Sequence, residues 1–201
     1  MVMQTGSNGN SAESLATNKD VVYVIDDQDR LVCVNENWEQ FASQNLGEEL
    51  LPSSILNQSI WQSVVDRDTR LIYEELFSRV REHGEKLRFA YRCDTPTLRR
   101  FMELQLHPLA ENQIQIVSRV LRVEERAYTA LLDPLSERSQ AFIDICGWCK
   151  RVHVSEDRWV EVEEAIQVLG LFDAPTMPHL SHGICPDCLV DFRSWRKIEK
   201  G

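Results

Sequence analysis

The chain has 201 residues, 43% of them hydrophobic and 27% charged, with a formal net charge of −10. That balance is ordinary for a globular protein and excludes a low-hydrophobicity disordered chain, and the length suffices for one large domain or two small ones. The acidic excess is general, with 14 Lys+Arg against 21 Asp+Glu over residues 20–139 and 7 against 10 over residues 140–201, which argues against nucleic acid as a partner.

Residues 1–19 are polar, with no basic start leading into an apolar run, and read as a disordered leader rather than a secretory signal. No stretch approaches the roughly 18 apolar residues of a membrane span. A cytoplasmic location is therefore expected, where thiols stay reduced.

"VVYVIDDQDRLVCVN" predicts two short strands around the polar turn Asp26-Asp27-Gln28-Asp29. Asn35 stands at the N-cap position of a helix carrying Trp38 and Phe41. A longer helix follows, with Leu71, Leu76 and Val80 at near-helical spacing, Tyr73 and Phe77 beside them, and Gly84 at its end. The period then drops to two. Leu87, Phe89 and Tyr91 share one face, Met102, Leu104 and Leu106 another, and Ile114 and Ile116 a third, so three strands joined by hairpins are expected.

The turn, the Asn-led helix in "IDDQDRLVCVNENWEQFA" and this order of elements resemble the PAS family. The resemblance covers about half of the chain. It implies an α+β fold over residues 20–122, in which a five-stranded antiparallel sheet wraps a pocket with helices on one side. It also implies a sensory or interaction role. The pocket's ligand is left open: the flavin-sensor motif G-x-N-C-R-F-L-Q is absent, and His83 reads as a polar residue of a helical C-terminal turn. Cys33 and Cys93 read as small buried hydrophobes. Arg92, Arg99 and Arg100 with Asp94 form either a salt-bridged hairpin or an anion-binding corner.

From residue 123 to 143, Val123, Ala127 and Leu131 at i, i+4 and i+8 predict a helical linker, broken or kinked at Pro134. A homodimer through this helix or the PAS-like domain is one expected partnership, and another protein is the other.

Residues 144–201 contain the pattern C-x2-C-x35-C-x2-C, made of Cys146, Cys149, Cys185 and Cys188. Four thiolates at about 2.3 Å close a tetrahedral structural Zn²⁺ site, and each C-x-x-C turn supplies two adjacent corners. Lys150 and Arg151 lie where they can offset its negative charge. Leu189, Phe192 and Ile198 predict a helix whose start holds the second cysteine pair, and a treble-clef-like zinc module follows from that arrangement. Val162, Ile166 and Leu169, with Gly170 beyond, predict another helix in the gap, and Trp159 is placed to pack with Trp148. His182 is an alternative ligand, a hydrogen-bonding neighbour of the sulfurs, or a turn residue; His179 reads as surface.

The blocks C-x-W-C-K-x-V and S-H-G-I-C-P-D-C resemble a cysteine module of bacterial sensory proteins found beside PAS or response-regulator domains. That resemblance implies no activity. Catalytic motifs such as a P-loop, G-x-S-x-G or H-E-x-x-H are missing, so a non-enzymatic signal-transduction protein is expected. Two alternatives stay open. A cysteine redox sensor draws on "CGWC", although no βαβ context surrounds it, and a zinc-finger transcription regulator is disfavoured by the charge.

Overall fold

The structure is a computed structural model and describes residues 20–44, 51–64, 66–172 and 174–194. The predicted leader and Ile198 lie outside them.

Strands β1 (Val21–Ile25) and β2 (Leu31–Val34) form the first hairpin. Its turn is tied by the Asp26 carboxylate, which accepts the N–H groups of Gln28 and Arg30, while Asp29 takes φ 59°. Asn35 does stand just before α1 (Glu36–Gln44), but its side chain serves β1. Its Oδ1 accepts from the Val22 N–H and its Nδ2 donates to the Asp20 carbonyl. A short α2 (Pro52–Ile55) and a 3-10 turn at Ile60–Gln62 lead to α3 (Arg67–His83). Asp66 caps α3 by accepting the Thr69 N–H, and Gly84 ends it at φ 62°. The buried stripe of α3 is Ile72, Leu76, Phe77 and Val80. Leu71 is half exposed, one 100° step off that stripe, so Ile72 takes the expected core position.

Strands β3 (Leu87–Arg92), β4 (Leu98–Pro108) and β5 (Ile114–Glu125) complete a five-stranded antiparallel sheet in the order β2-β1-β5-β4-β3. Its inward residues Leu87, Phe89, Leu104, Leu106, Ile114 and Ile116 close on α3, and each fully buried apolar side chain contributes about 1.5–3 kcal/mol. Cys33 is exposed and Cys93 half-buried, against expectation. Cys33 lies on the edge strand, where the alternation that buries Leu31 turns Cys33 outward.

The helical linker expected over residues 123–143 is not formed. Strand β5 continues to Glu125, paired with Leu98 of β4, and leaves Val123 half exposed. A 3-10 turn at Ala130–Leu132 follows, and then strand β6 (Arg138–Cys146). Arg138 fixes this path by donating to the carbonyls of Leu131, Asp133 and Pro178. The period-two run Ala141–Ile145, with Phe142 exposed and Ile145 buried, is the strand signal that the i, i+4, i+8 spacing obscured.

β6 centres a second sheet in the order β8-β7-β6-β9, with β7 (Val152–Ser155), β8 (Arg158–Val160) and β9 (Met177–Gly183). β9 runs parallel to β6, so that Ile145 faces His182 and Cys146 faces Gly183. Helix α4 (Val162–Val168) lies in the predicted gap, with Val162 and Ala165 buried, Ile166 and Leu169 packed beside them, and Gly170 beyond. Helix α5 (Pro186–Ser194) ends the described chain. A second core forms around Leu131, Ile145, Val152, Val162, Ala165 and Met177. The cysteines are absent from it: Cys146, Trp148, Cys185 and Cys188 are buried in the first core, with α3 and β3.

Candidate metal centre and adjoining cavity

The first C-x-x-C is a tight knuckle between β6 and β7. The Lys150 N–H donates to the Cys146 carbonyl, the Cys146 N–H to the Arg151 carbonyl, and Lys150 adopts φ 62°. Gly147 sits close against its neighbours. A Cβ there would lie 3.2 Å from Thr69 Oγ1 of α3, and its N–H donates to the Gly183 carbonyl of β9. The second pair opens α5 as expected. The Leu189 N–H donates to the Cys185 carbonyl, which makes Cys185 the N-cap, and Pro186 takes the first helical position.

The sulfurs of Cys146, Cys149, Cys185 and Cys188 all lie within 4.8 Å of one another, with Cys149 and Cys185 3.6 Å apart. Four sulfurs at about 2.3 Å from a common ion stand about 3.8 Å from each other, so the donor set fits a closed tetrahedral metal site. His182 supplies no atom to this cluster and is exposed on β9. His179 is exposed and stacks on Phe142.

Arg151 caps the cluster. Its guanidinium donates to Cys149 Sγ at 3.2 Å and to Cys185 Sγ at 3.4 Å, and pairs with Asp187 at 2.8 Å. The Lys150 ammonium turns away to the Gly147 carbonyl, so one of the two expected cations reaches the sulfurs. The thiols divide sharply. Hydrogen bonds from Cys149 and Cys188 hold Cys146 far below the ordinary thiol value. Cys185 is pushed up to about 11, chiefly by burial, and Cys188 is driven far up by its bonds to Cys146 and Cys149. Sulfurs this close cannot all ionise alone, and a dication among them would favour the thiolate at every one.

Trp148, inside the first knuckle, is 5% exposed and packs at a tilt against Tyr73 of α3 at 5.6 Å and Phe89 of β3 at 6.0 Å. Trp159 instead stacks on His153. The Arg92 N–H at the end of edge strand β3 donates to the Trp148 carbonyl at 2.7 Å, so the knuckle is hydrogen-bonded to the first sheet. Beside it, the corner foreseen at Arg92, Arg99, Arg100 and Asp94 is salt-bridged at Arg92, Arg99 and Asp94. Asp94, buried, holds Arg92 and Arg126; Arg92 reaches Glu161 at 2.7 Å, and Arg99 and Arg126 reach Glu163 at 3.0 and 2.6 Å. Sequence spacing gave no sign of Arg126, Glu161 and Glu163, because their meeting depends on how the two sheets dock.

Farther along the same stripe of α3, at Tyr73 and Phe77, a cavity of about 380 Å³ opens between α1, α2, the 3-10 turn and β1–β2. Tyr23, Leu31, Trp38, Ile60, Tyr73 and Phe77 form its apolar walls, and Ser54, Gln58, Gln62 and Ser63 are exposed along its rim. Tyr73 thus lines the cavity and also packs against the knuckle.

No protein-family model matches the chain, and no curated protein matches it. Among solved structures, a domain of an HTR-like protein from Haloarcula marismortui ATCC 43049 is 18% identical, over 52% of this chain and 99% of that one, with a TM-score of 0.36. The PAS domain of an HTR-like protein from Haloarcula marismortui is 20% identical over 52% of this chain and 83% of that one, with a TM-score of 0.32. At these TM-scores neither likeness carries weight for the sites. Among the described residues, no helix is long and apolar enough to cross a membrane.

Proposed function

We propose that this is a non-enzymatic sensory protein of the cytoplasm, in which a PAS-like unit takes up a small ligand and a structural Zn²⁺ held by Cys146, Cys149, Cys185 and Cys188 braces the surface that a protein partner reads. One observation carries the proposal: Tyr73 lines the cavity and packs at a tilt against Trp148 of the cysteine knuckle. Zinc suits the donor set because it accepts four thiolates in a closed shell and has no redox chemistry of its own. The knuckle, the β7–β8 hairpin and α5 are the parts from which a treble-clef-like module would be assembled. The partner is a different protein or a second copy meeting through the PAS-like unit, since residues 123–143 form no helix to serve a dimer.

The test is elemental analysis of protein purified without added metal, with free thiols counted before and after chelation. One zinc per chain, with four thiols released by chelator, is expected. A metal-free chain whose thiols cycle between free and disulfide forms overturns the zinc site.

A second reading, a cysteine redox sensor, draws on the 3.6 Å separation of the Cys149 and Cys185 sulfurs, which sets two thiols within reach of one disulfide. Cys149 and Cys185 would give up two electrons and two protons to hydrogen peroxide, forming one disulfide and two waters. A transcription regulator gains no support, since Arg92, Arg99 and Arg126 are tied to carboxylates.

A further inference from the structure

We infer that the cavity beside α3 takes an uncharged, largely apolar molecule of aromatic or similar flat shape, carrying a hydrogen-bond acceptor that receives the hydroxyls of Tyr23 and Tyr73. This rests on the sensory reading above and names the ligand class of its pocket.

The lining excludes charge. Its described residues are Tyr23, Leu31, Trp38, Ile55, Ile60, Val64, Tyr73 and Phe77 with three serines and two glutamines, without one Asp, Glu, Lys, Arg or His. An ionised carboxylate or phosphate entering these walls would lose its hydration with no counter-charge to replace it. Arg81 and Arg70, the cations nearest on α3, are engaged elsewhere. Arg81 binds Asp29 and the Asp26 carbonyl, and Arg70 binds Glu74 and lies over the outer Trp61 ring. At about 380 Å³ the space falls within the range of small-molecule pockets.

The walls also favour a flat guest. Tyr23 and Trp38 meet edge-to-face at 5.2 Å, and Tyr73 lies against Phe77 at 5.8 Å, so aromatic faces stand on two sides. Apart from the serines and glutamines, the polar groups of the lining include two phenols. Among the described residues neither the Tyr23 nor the Tyr73 hydroxyl has a hydrogen-bond partner, whereas Tyr91 is bonded to Ser118. Burial raises both phenols well above their ordinary value, and mutual repulsion with Tyr91 raises them further, so they remain protonated donors across the physiological range. A neutral carbonyl, quinone or ether oxygen is the group that such donors receive.

The experiment uses the full chain and N-phenyl-1-naphthylamine, an uncharged probe that fluoresces in apolar surroundings. Saturable binding of one probe per chain is expected. 2-Acetylnaphthalene should displace it at least tenfold better than 2-naphthoate, which has nearly the same size but a charge. Tyr73→Phe should weaken 2-acetylnaphthalene about threefold to tenfold, the value of one neutral hydrogen bond, and leave 2-ethylnaphthalene unchanged. Tyr23→Phe repeats the test at the second phenol. Equal displacement by 2-naphthoate, or equal loss of both neutral competitors in Tyr73→Phe and Tyr23→Phe, overturns the ligand class while the cavity reading stands. Absence of any saturable probe binding overturns both.

Discussion

The two sheets of this molecule bury their cores by different means. In the first, hairpin-linked antiparallel strands fold over one long helix, and the core is continuous from Ile25 to Ile116. In the second, a parallel pair and two short strands enclose a smaller core around Ile145 and Met177. The sulfur cluster is built by the chain of the second sheet yet buried in the core of the first. A brace placed there does not merely staple a small module. A metal held there would fasten the second sheet to the wall of the cavity beside α3.

This contrast is broken most severely at the sulfurs. Cys185→Ser should abolish stoichiometric zinc and cost several kcal/mol, because metal binding at such a site is folding free energy. Hydrogen exchange should then accelerate in α3 and β3 as well as in β6–β9. Acceleration confined to β6–β9 would show the sheets to be independent. Trp148→Ala comes next, with an expected loss of about 3–5 kcal/mol in denaturant unfolding and a weaker hold on cavity probes, since Tyr73 loses its support. Met177→Ala, in the second core, should cost about 2–5 kcal/mol while leaving probe affinity alone.

Gly147→Ala should have a smaller effect, about 1–3 kcal/mol, from the contact with Thr69. Thr69→Ser keeps the Oγ1 and should not relieve it, whereas Thr69→Ala should; a double-mutant cycle on melting temperature reads the difference. The smallest effect concerns pH. Burial, with Lys86 nearby, holds the His107 imidazole below its ordinary value of 6.5. As pH falls, the unfolded chain takes up that proton first. The contribution of His107 is therefore intact above about 6.5 and lost as the pH drops toward its folded value. His107→Gln should flatten this part of the stability–pH curve relative to wild type.

Much of the first sheet was legible because side-chain alternation and hairpin turns are local signals: Leu87 and Phe89, or Met102, Leu104 and Leu106, declare their shared faces within a few residues. The four-cysteine cluster was legible for the same reason, each C-x-x-C being a local turn. The path from Val123 to Ile145 was misread because three apolar residues at helical spacing outweighed the short alternation around Phe142. What decides between those patterns lies far off in the chain, in the pairing of β6 with β9 and the carbonyls gathered by Arg138. The burial of Trp148 against Tyr73, and the Arg126–Glu163 contact, are products of docking and leave no trace in spacing.

The parallel register of β6 and β9 has a consequence for how such chains are recognised. With Cys146 opposite Gly183, the two cysteine pairs are aligned by backbone pairing. The 35 residues between Cys149 and Cys185 do not set that alignment by their number. Doubling a flexible loop costs only about 0.6 kcal/mol, so inserts beside α4 would leave the sulfurs where they are. A search pattern that fixes the gap at 35 would miss chains with the same centre. The durable signature is a strand leading into C-G-W-C and a strand leading into H-G-I-C that run side by side.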